Sequence, residues 1–272
     1  MVQIPLEDNA GDVIAKAMRG ANIGDTALGR LAGVDPELVQ AARKSKGDET
    51  TLRAIAPHLR LSAAALVALS RGAWYPRPVA FPDGFAMCTT DYGDMTINAY
   101  IVWDPVSKRA ATFDTGSTAA PLLAEIDRRG LKLEAAFLTH THQDHLADLV
   151  SILRAHRVPV WTSERETIAG AGTFAEGRVF EFGAVRVRTL STWGHTCGGA
   201  SYVVDGLAHP LVVVGDALFA SSMGGGMESY EDARDNNIAK LMSLPPATVI
   251  ACGHGPLTTV GEELEHNPFF AR

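Results

Sequence analysis

The run Thr139-His140-Thr141-His142-Gln143-Asp144-His145 decides the reading of this chain. It follows an apolar segment, residues 133–138, with the character of a strand, and precedes an amphipathic helical pattern over 146–156. Residues two apart at the mouth of a strand point the same way, so His140 and His142 can converge on one ion. Asp144 and His145 come just after the turn and can face a second ion beside the first. Imidazole suits zinc or iron, and a carboxylate supplies the negative charge that a pair of divalent cations requires. The bland alternative is a polar exposed loop, but three His and one Asp within six positions is far denser than such loops run. The stretch reads as a metal site.

Three more residues stand in the same setting, just after an apolar strand and beside glycine. His195 lies in Thr192-Trp193-Gly194-His195-Thr196, Asp216 in Val214-Gly215-Asp216-Ala217, and His254 in Cys252-Gly253-His254-Gly255-Pro256. The flanking glycines let the backbone approach closely and adopt dihedrals denied to other residues. Period-two patterning predicts strands at 85–90, 96–103, 110–113, 158–162, 201–204, 211–214 and 248–251, with a hairpin of 178–182 and 185–192 across Gly183. Helices are predicted over 119–128, 146–156, 230–241 and 262–265. Strands on both sides of helical segments indicate an α/β fold of two sheets with helices outside.

The order HxHxDH, then GHT, GDALF and GHGP, resembles the metallo-β-lactamase superfamily, and within it the glyoxalase II branch, with the persulfide dioxygenases nearby. The likeness covers about residues 85–270, including Asn98-Ala99-Tyr100 and Phe113-Asp114-Thr115-Gly116. It implies an αββα sandwich with metals at one edge of the sheets. Position by position, it implies that His140, His142 and His195 hold one ion, that Asp144, His145 and His254 hold a second, and that Asp216 bridges them. The implied cofactor is two zinc ions, with iron or manganese as alternatives. Asp144 is the catalytic candidate, orienting a hydroxide between the ions. Asp114 is expected behind the ligands, fixing an imidazole or the backbone of the motif, or else to be a plain turn aspartate. His58, His156, His209 and His266 fall outside the pattern. Free cysteines usually pack, so Cys197 and Cys252 are not expected as ligands, and Cys197 is the more exposed candidate of the two.

Two departures bear on substrate. Glyoxalase II proteins grip glutathione with a C-terminal helical domain, which is not expected here because the chain stops at Arg272, soon after His254. After Asp216, where nearby branches carry Arg and Asp, this chain reads Ser221-Ser222-Met223-Gly224-Gly225-Gly226-Met227, a flexible apolar loop.

Residues 1–72 read as helices only, at 10–19, 26–31, 36–44, 49–59 and 63–70, with Asp35, Asp48 and Ser62 as N-caps. By spacing, this small all-α domain is helix-turn-helix-like and precedes a linker at 73–84 and a catalytic domain at 85–272. It carries nine Lys or Arg against eight Asp or Glu, and Glu37 opens the second helix of the pair. A nearly neutral face supplies few phosphate contacts, which disfavours nucleic acid as a partner. A structural, lid-like or dimerising unit is the favoured reading, and it leaves room for a homodimer.

The 272 residues carry a net charge of −7, three cysteines and no apolar run long enough to span a bilayer. The N-terminus lacks the basic-then-apolar pattern of a signal peptide, so a cytoplasmic protein without membrane association is expected. The leading expectation is a dinuclear metal hydrolase, a metal-bridged hydroxide attacking an ester, thioester or lactone of a small-molecule substrate. The alternatives are a mononuclear iron persulfide dioxygenase, using His140, His195 and Asp216, and a DNA-binding regulator whose metal domain senses a ligand.

Overall fold

The computed structural model describes residues 3–79 and 83–271. Residues 80–82 of the expected linker, and Arg272, lie outside the described residues.

The first sheet follows chain order. It is built from β1 (Phe85–Tyr92), β2 (Met95–Trp103), β3 (Arg109–Phe113), β4 (Lys132–Phe137), β5 (Val160–Ser163) and β6 (Gly172–Phe174). β1, β2 and β3 run antiparallel, whereas β3 to β6 run parallel, each addition after β3 returning through a connection on the outer face. The second sheet uses β7 (Val179–Phe182), β8 (Val185–Ser191), β9 (Ala200–Asp205) and β10 (Leu211–Gly215). After the two-stranded hairpin β11 (Leu218–Phe219) and β12 (Ser222–Met223), it is completed by β13 (Val249–Cys252) and β14 (Thr258–Thr259). Its order is β14-β13-β10-β9-β8-β7, with β10 and β13 parallel. Every residue of β10 and β13 is buried, as expected of strands covered on both faces.

Three apolar clusters define the layers. Phe113, Phe137, Tyr202, Val213 and Ala251 pack between the sheets. Ile101, Ala136 and Val160 face outward from the first sheet onto Leu122 and Ile126 of α6 (Ala120–Arg129) and Ile152 of α8 (Leu149–His156). Val212, Val214 and Ile250 face outward from the second sheet into a cluster that contains Val13, Ile14, Leu28, Leu52 and Leu66. Those five belong to α1 (Ala10–Gly20), α2 (Asp25–Ala32), α4 (Glu49–Ile55) and α5 (Ala63–Ser70). The N-terminal helices therefore share one core with the second sheet and form its outer layer, together with α9 (Tyr230–Asn236) and α10 (Val260–His266).

Capping explains the N-terminal helix starts. Asn9 accepts from the Gly11 and Asp12 backbones at α1, Asp35 from Glu37 N at α3 (Pro36–Arg43), and Asp48 from Thr51 N at α4. Ser62 precedes α5 but makes no side-chain cap; its N–H donates instead to Pro268 O at 2.7 Å. On the helix-turn-helix-like pair, Glu37 is exposed and Arg43 is tied to Asp25 at 2.8 Å.

The helix expected over 146–156 is interrupted. A short α7 (Gln143–Leu146) holds Asp144 and His145, and α8 starts only at Leu149. Asp148 breaks the run: its side chain accepts from Ala119 N at 2.8 Å, and its N–H donates to Thr115 Oγ1 at 3.2 Å. The helix predicted over 230–241 also changes character, closing in a π turn at Asn237–Leu241.

Glu263 on α10 is fully buried and anchors the β11–β12 hairpin. It accepts from Ser221 N, Thr258 Oγ1 and Asn267 Nδ2. Burial pushes its carboxyl from an ordinary 4.5 to about 7, against the lowering effect of those hydrogen bonds. A raised carboxyl pKa means that stability is fully present below the unfolded value and is lost as pH rises through about 7. Glutamine stays neutral, and its amide can donate to Thr258. Glu263→Gln should therefore change urea stability little at pH 5 and raise it by roughly 1–3 kcal/mol at pH 8. An equal shift at both pH values would show that the carboxyl does not ionise there.

Candidate metal centre

All seven expected ligands lie at one edge of the two sheets. His140 and His142 follow β4, Asp144 and His145 sit on α7, His195 follows β8, Asp216 follows β10, and His254 follows β13. The structure gathers them as two groups, His140, His142, His195 and Asp216 in one, and Asp144, His145 and His254 in the other. Within each group the candidate ligand atoms lie within 4.8 Å of one another.

In the first group three ring nitrogens converge. His140 Nε2 is 3.0 Å and His195 Nε2 3.2 Å from His142 Nδ1. Asp216 lies between the groups, its Oδ2 3.5 Å from both His195 Nε2 and His254 Nε2 and its Oδ1 3.2 Å from His145 Nε2. Asp144 Oδ2 is 3.5 Å from His254 Nε2.

The far nitrogen of four rings is tethered, which fixes their orientation. His195 Nδ1 donates to Gly225 O, His254 Nδ1 to Thr96 O, and His145 Nδ1 to Asp114 Oδ2, each at 2.8 Å. Thr139 Oγ1 donates to Asp114 Oδ2 and so accepts from His140 Nδ1 at 3.0 Å. Asp114 also accepts from Thr139 N. Its backbone has φ 57°, a left-handed conformation uncommon outside glycine that turns the carboxylate under the motif. Asp114 thus tethers one imidazole from each group.

These residues fit a metal. His145 Nε2 and Asp216 Oδ1 are buried and 3.2 Å apart without an aligned hydrogen bond between them or to any other described group, an arrangement that a cation between them would satisfy. Burial, together with the charge of His145, holds His140 well below the ordinary histidine pKa, and burial likewise lowers His195. Both therefore present neutral lone pairs. Burial also opposes charge on His145 and His254, but the Asp216 and Asp114 carboxylates outweigh it at His145 and hold it near 10. Asp144 and Asp216 do the same for His254, at about 11. A cation entering the second group displaces those protons.

Glycine is required at two of these points. A Cβ on Gly253 would stand 2.2 Å from Asp216 Oδ1, and one on Gly215, at φ 51°, 2.3 Å from Thr139 Oγ1.

Other candidates stay apart. His58 and His209 are exposed, His156 is half-buried, and His266 stacks on Trp74 with centroids 4.8 Å apart. Cys88 and Cys252 are buried, and Cys197 is exposed. Two contributors carry no signal in local sequence. Thr139 relays Asp114 to His140, as described above. Glu166 accepts from Thr141 N at 2.7 Å and Gly198 N at 2.9 Å, joining the loop of His140 and His142 to that of His195. Glu166 lies in no metal-ligand spacing, so only the meeting of these loops reveals it.

The profile of the metallo-beta-lactamase superfamily matches residues 92–254. Hydroxyacylglutathione hydrolase from Alkalilimnicola ehrlichii is 35% identical over 159 residues, which is 56% of this chain and 60% of that protein. The chain thus spans about 60% of the length of that curated relative. Among solved structures, the B3 metallo-beta-lactamase BLEG-1 is 27% identical with a TM-score of 0.59, covering 69% of this chain and 100% of that one. TTHA1623 in a di-iron-bound form is 26% identical with a TM-score of 0.55, covering 70% and 100%. The matched span contains all seven convergent His and Asp residues, at the sheet edge where the family implies a metal, and this chain belongs to the metallo-beta-lactamase superfamily.

Proposed function

We propose that the protein is a metal-dependent hydrolase of an ester, thioester or lactone, holding two ions, with zinc the first candidate. The observation that carries this reading is the pair of ligand groups with Asp216 set between them, its Oδ2 near His195 and His254 and its Oδ1 near His145. In this reading His140, His142 and His195 hold one ion, Asp144, His145 and His254 the other, and Asp216 contacts both. Bound there, the ions would lower the pKa of a water molecule toward neutrality and polarise the substrate's carbonyl oxygen.

The chain's own groups complete the chemistry. Asp144 is half-buried, and although burial favours its neutral form, the hydrogen bond from His254 outweighs this and keeps its carboxyl below the usual range. It is therefore ionised at neutral pH and can accept a hydrogen bond from the attacking water, orienting it. His142 is exposed at the outer side of the cluster, where substrate would approach. The likeness to a hydroxyacylglutathione hydrolase favours a thioester within this class, and the di-iron form of a relative supports two ions.

Elemental mass spectrometry of the purified chain tests this reading. About two ions per chain are expected, with thioester or ester hydrolysis that stops on chelation and returns on adding metal. One iron per chain, with oxygen uptake on a persulfide and no hydrolysis, would replace it with the oxidative reading through His140, His195 and Asp216.

A further inference from the structure

The matched family span begins at residue 92, yet a segment more than seventy residues earlier reaches the candidate metal centre. Lys16, on α1, is almost buried, with 13% of its side chain exposed, and its partner Asp8 has 9% exposed. The Lys16 ammonium pairs with Asp8, donates to Met223 O at 2.9 Å, and lies 5.1 Å from the centroid of the Phe219 ring. Asp8 also accepts from Ser222 Oγ. All three partners, Phe219, Ser222 and Met223, belong to the β11–β12 hairpin.

That hairpin is tied to the centre at both ends. It leaves Asp216 by one residue. Past Met223 it runs into Gly224, whose Cβ position would fall 1.8 Å from Asp216 O, and Gly225, whose carbonyl accepts from His195 Nδ1. The Phe219 ring meets the His254 ring edge-on, with centroids 5.6 Å apart. Glu7, beside Asp8, brings its carboxylate within 3.9 Å of His254 Nδ1. Next to His254, a Cβ on Gly255 would stand 3.3 Å from Glu7 N.

A buried ion pair is a poor source of net stability. An apolar or neutral pair of similar volume often serves the fold as well, whereas breaking one partner is costly. Lys16 and Asp8 gain instead a fixed position for the hairpin that orients His195 and packs on His254. We propose that Lys16 and Asp8 are positioning residues of the metal centre, acting through the β11–β12 hairpin, so that the N-terminal helical segment is a working part of the site. The kinetic arm of this proposal rests on the hydrolase reading; the spectroscopic arm does not.

The test compares the full chain with Lys16→Met, Asp8→Asn and the double variant Asp8→Asn/Lys16→Met, each loaded with cobalt(II). Thermal midpoint, the visible cobalt absorption spectrum, kcat and KM are recorded. Each single variant should melt lower, because it leaves a buried group unpaired. The double variant should regain most of the midpoint yet keep an altered cobalt spectrum and a kcat lower by about tenfold to a hundredfold, with KM within about twofold. A double variant with the original midpoint, spectrum and kcat would overturn the proposal, because the pair would then serve the fold alone. If the double variant does not fold, Ser222→Ala replaces it, removing only the hairpin hydroxyl that donates to Asp8. An altered spectrum at an unchanged midpoint supports the arrangement, and an unchanged spectrum overturns it. Failure of the hydrolase reading is distinct, because it would appear as no turnover in the unaltered chain while the cobalt comparison still decides.

Discussion

On the two-ion hydrolase reading, Asp216→Ala should yield a folded chain that binds at most one ion tightly and hydrolyses substrate at least about a thousandfold more slowly, the scale of losing a buried electrostatic group at a reacting centre. Asp216 is the residue on which both groups depend. Its Oδ2 is 3.5 Å from His195 Nε2 and from His254 Nε2, and its Oδ1 faces His145 Nε2 at 3.2 Å. Burial penalises its charge, but His145 and His254 outweigh the penalty and hold its carboxyl well below the usual range. The anion is therefore present at every working pH. Removing it would leave imidazole nitrogens alone in the first group and the single Asp144 carboxylate in the second, too little negative charge for two divalent ions. The comparison is metal stoichiometry after dialysis alongside single-turnover rate. Two ions retained with unchanged turnover would remove Asp216 from the site.

Asp114→Ala tests the layer beneath the ligands and should weaken metal binding by about tenfold to a hundredfold, the usual effect of removing a group that orients ligands. The carboxylate accepts three hydrogen bonds of 2.8 Å, from Thr139 N, Thr139 Oγ1 and His145 Nδ1. Its loss frees the His145 ring directly, and the His140 ring through Thr139. Asp114→Asn should be nearly as damaging. Its amide can still accept from one donor, but its NH2 faces the donors that met the second oxygen, which reverses the tautomer demanded of His145. Leaving buried donors unpaired should also cost roughly 2–4 kcal/mol of stability. Metal titration of the stripped protein against a competing chelator separates the two effects. Lowered stability with unchanged metal affinity would make Asp114 a turn residue that braces the fold alone.

Much of this site was legible in the chain because each candidate ligand stands at the end of an apolar strand, in a short polar run next to glycine or within the His-rich motif. Strand ends along one edge of a sheet face the same way, so a local pattern carries three-dimensional information. The N-terminal helices were legible for a similar reason: Asp35 and Asp48 cap through bonds to residues two and three positions away. Elements of two or three residues, β6, β11, β12 and β14, were not, since alternation cannot be seen in so short a run. The break at Asp148 was hidden because its partners, Ala119 and Thr115, lie 29 and 33 positions away.

Periodicity, capping residues and the spacing of His, Asp and Gly identify the elements and the candidate ligands, because each depends on neighbours within a few positions. Other features arise only when distant segments meet. Asp114 tethers His145 from 31 positions away, Glu166 joins two loops, and Lys16 reaches a carbonyl 207 positions further along. Neither partner in such a contact has a local preference that announces the other. The outer helical layer and its reach toward the metal centre therefore follow from packing the shared apolar core.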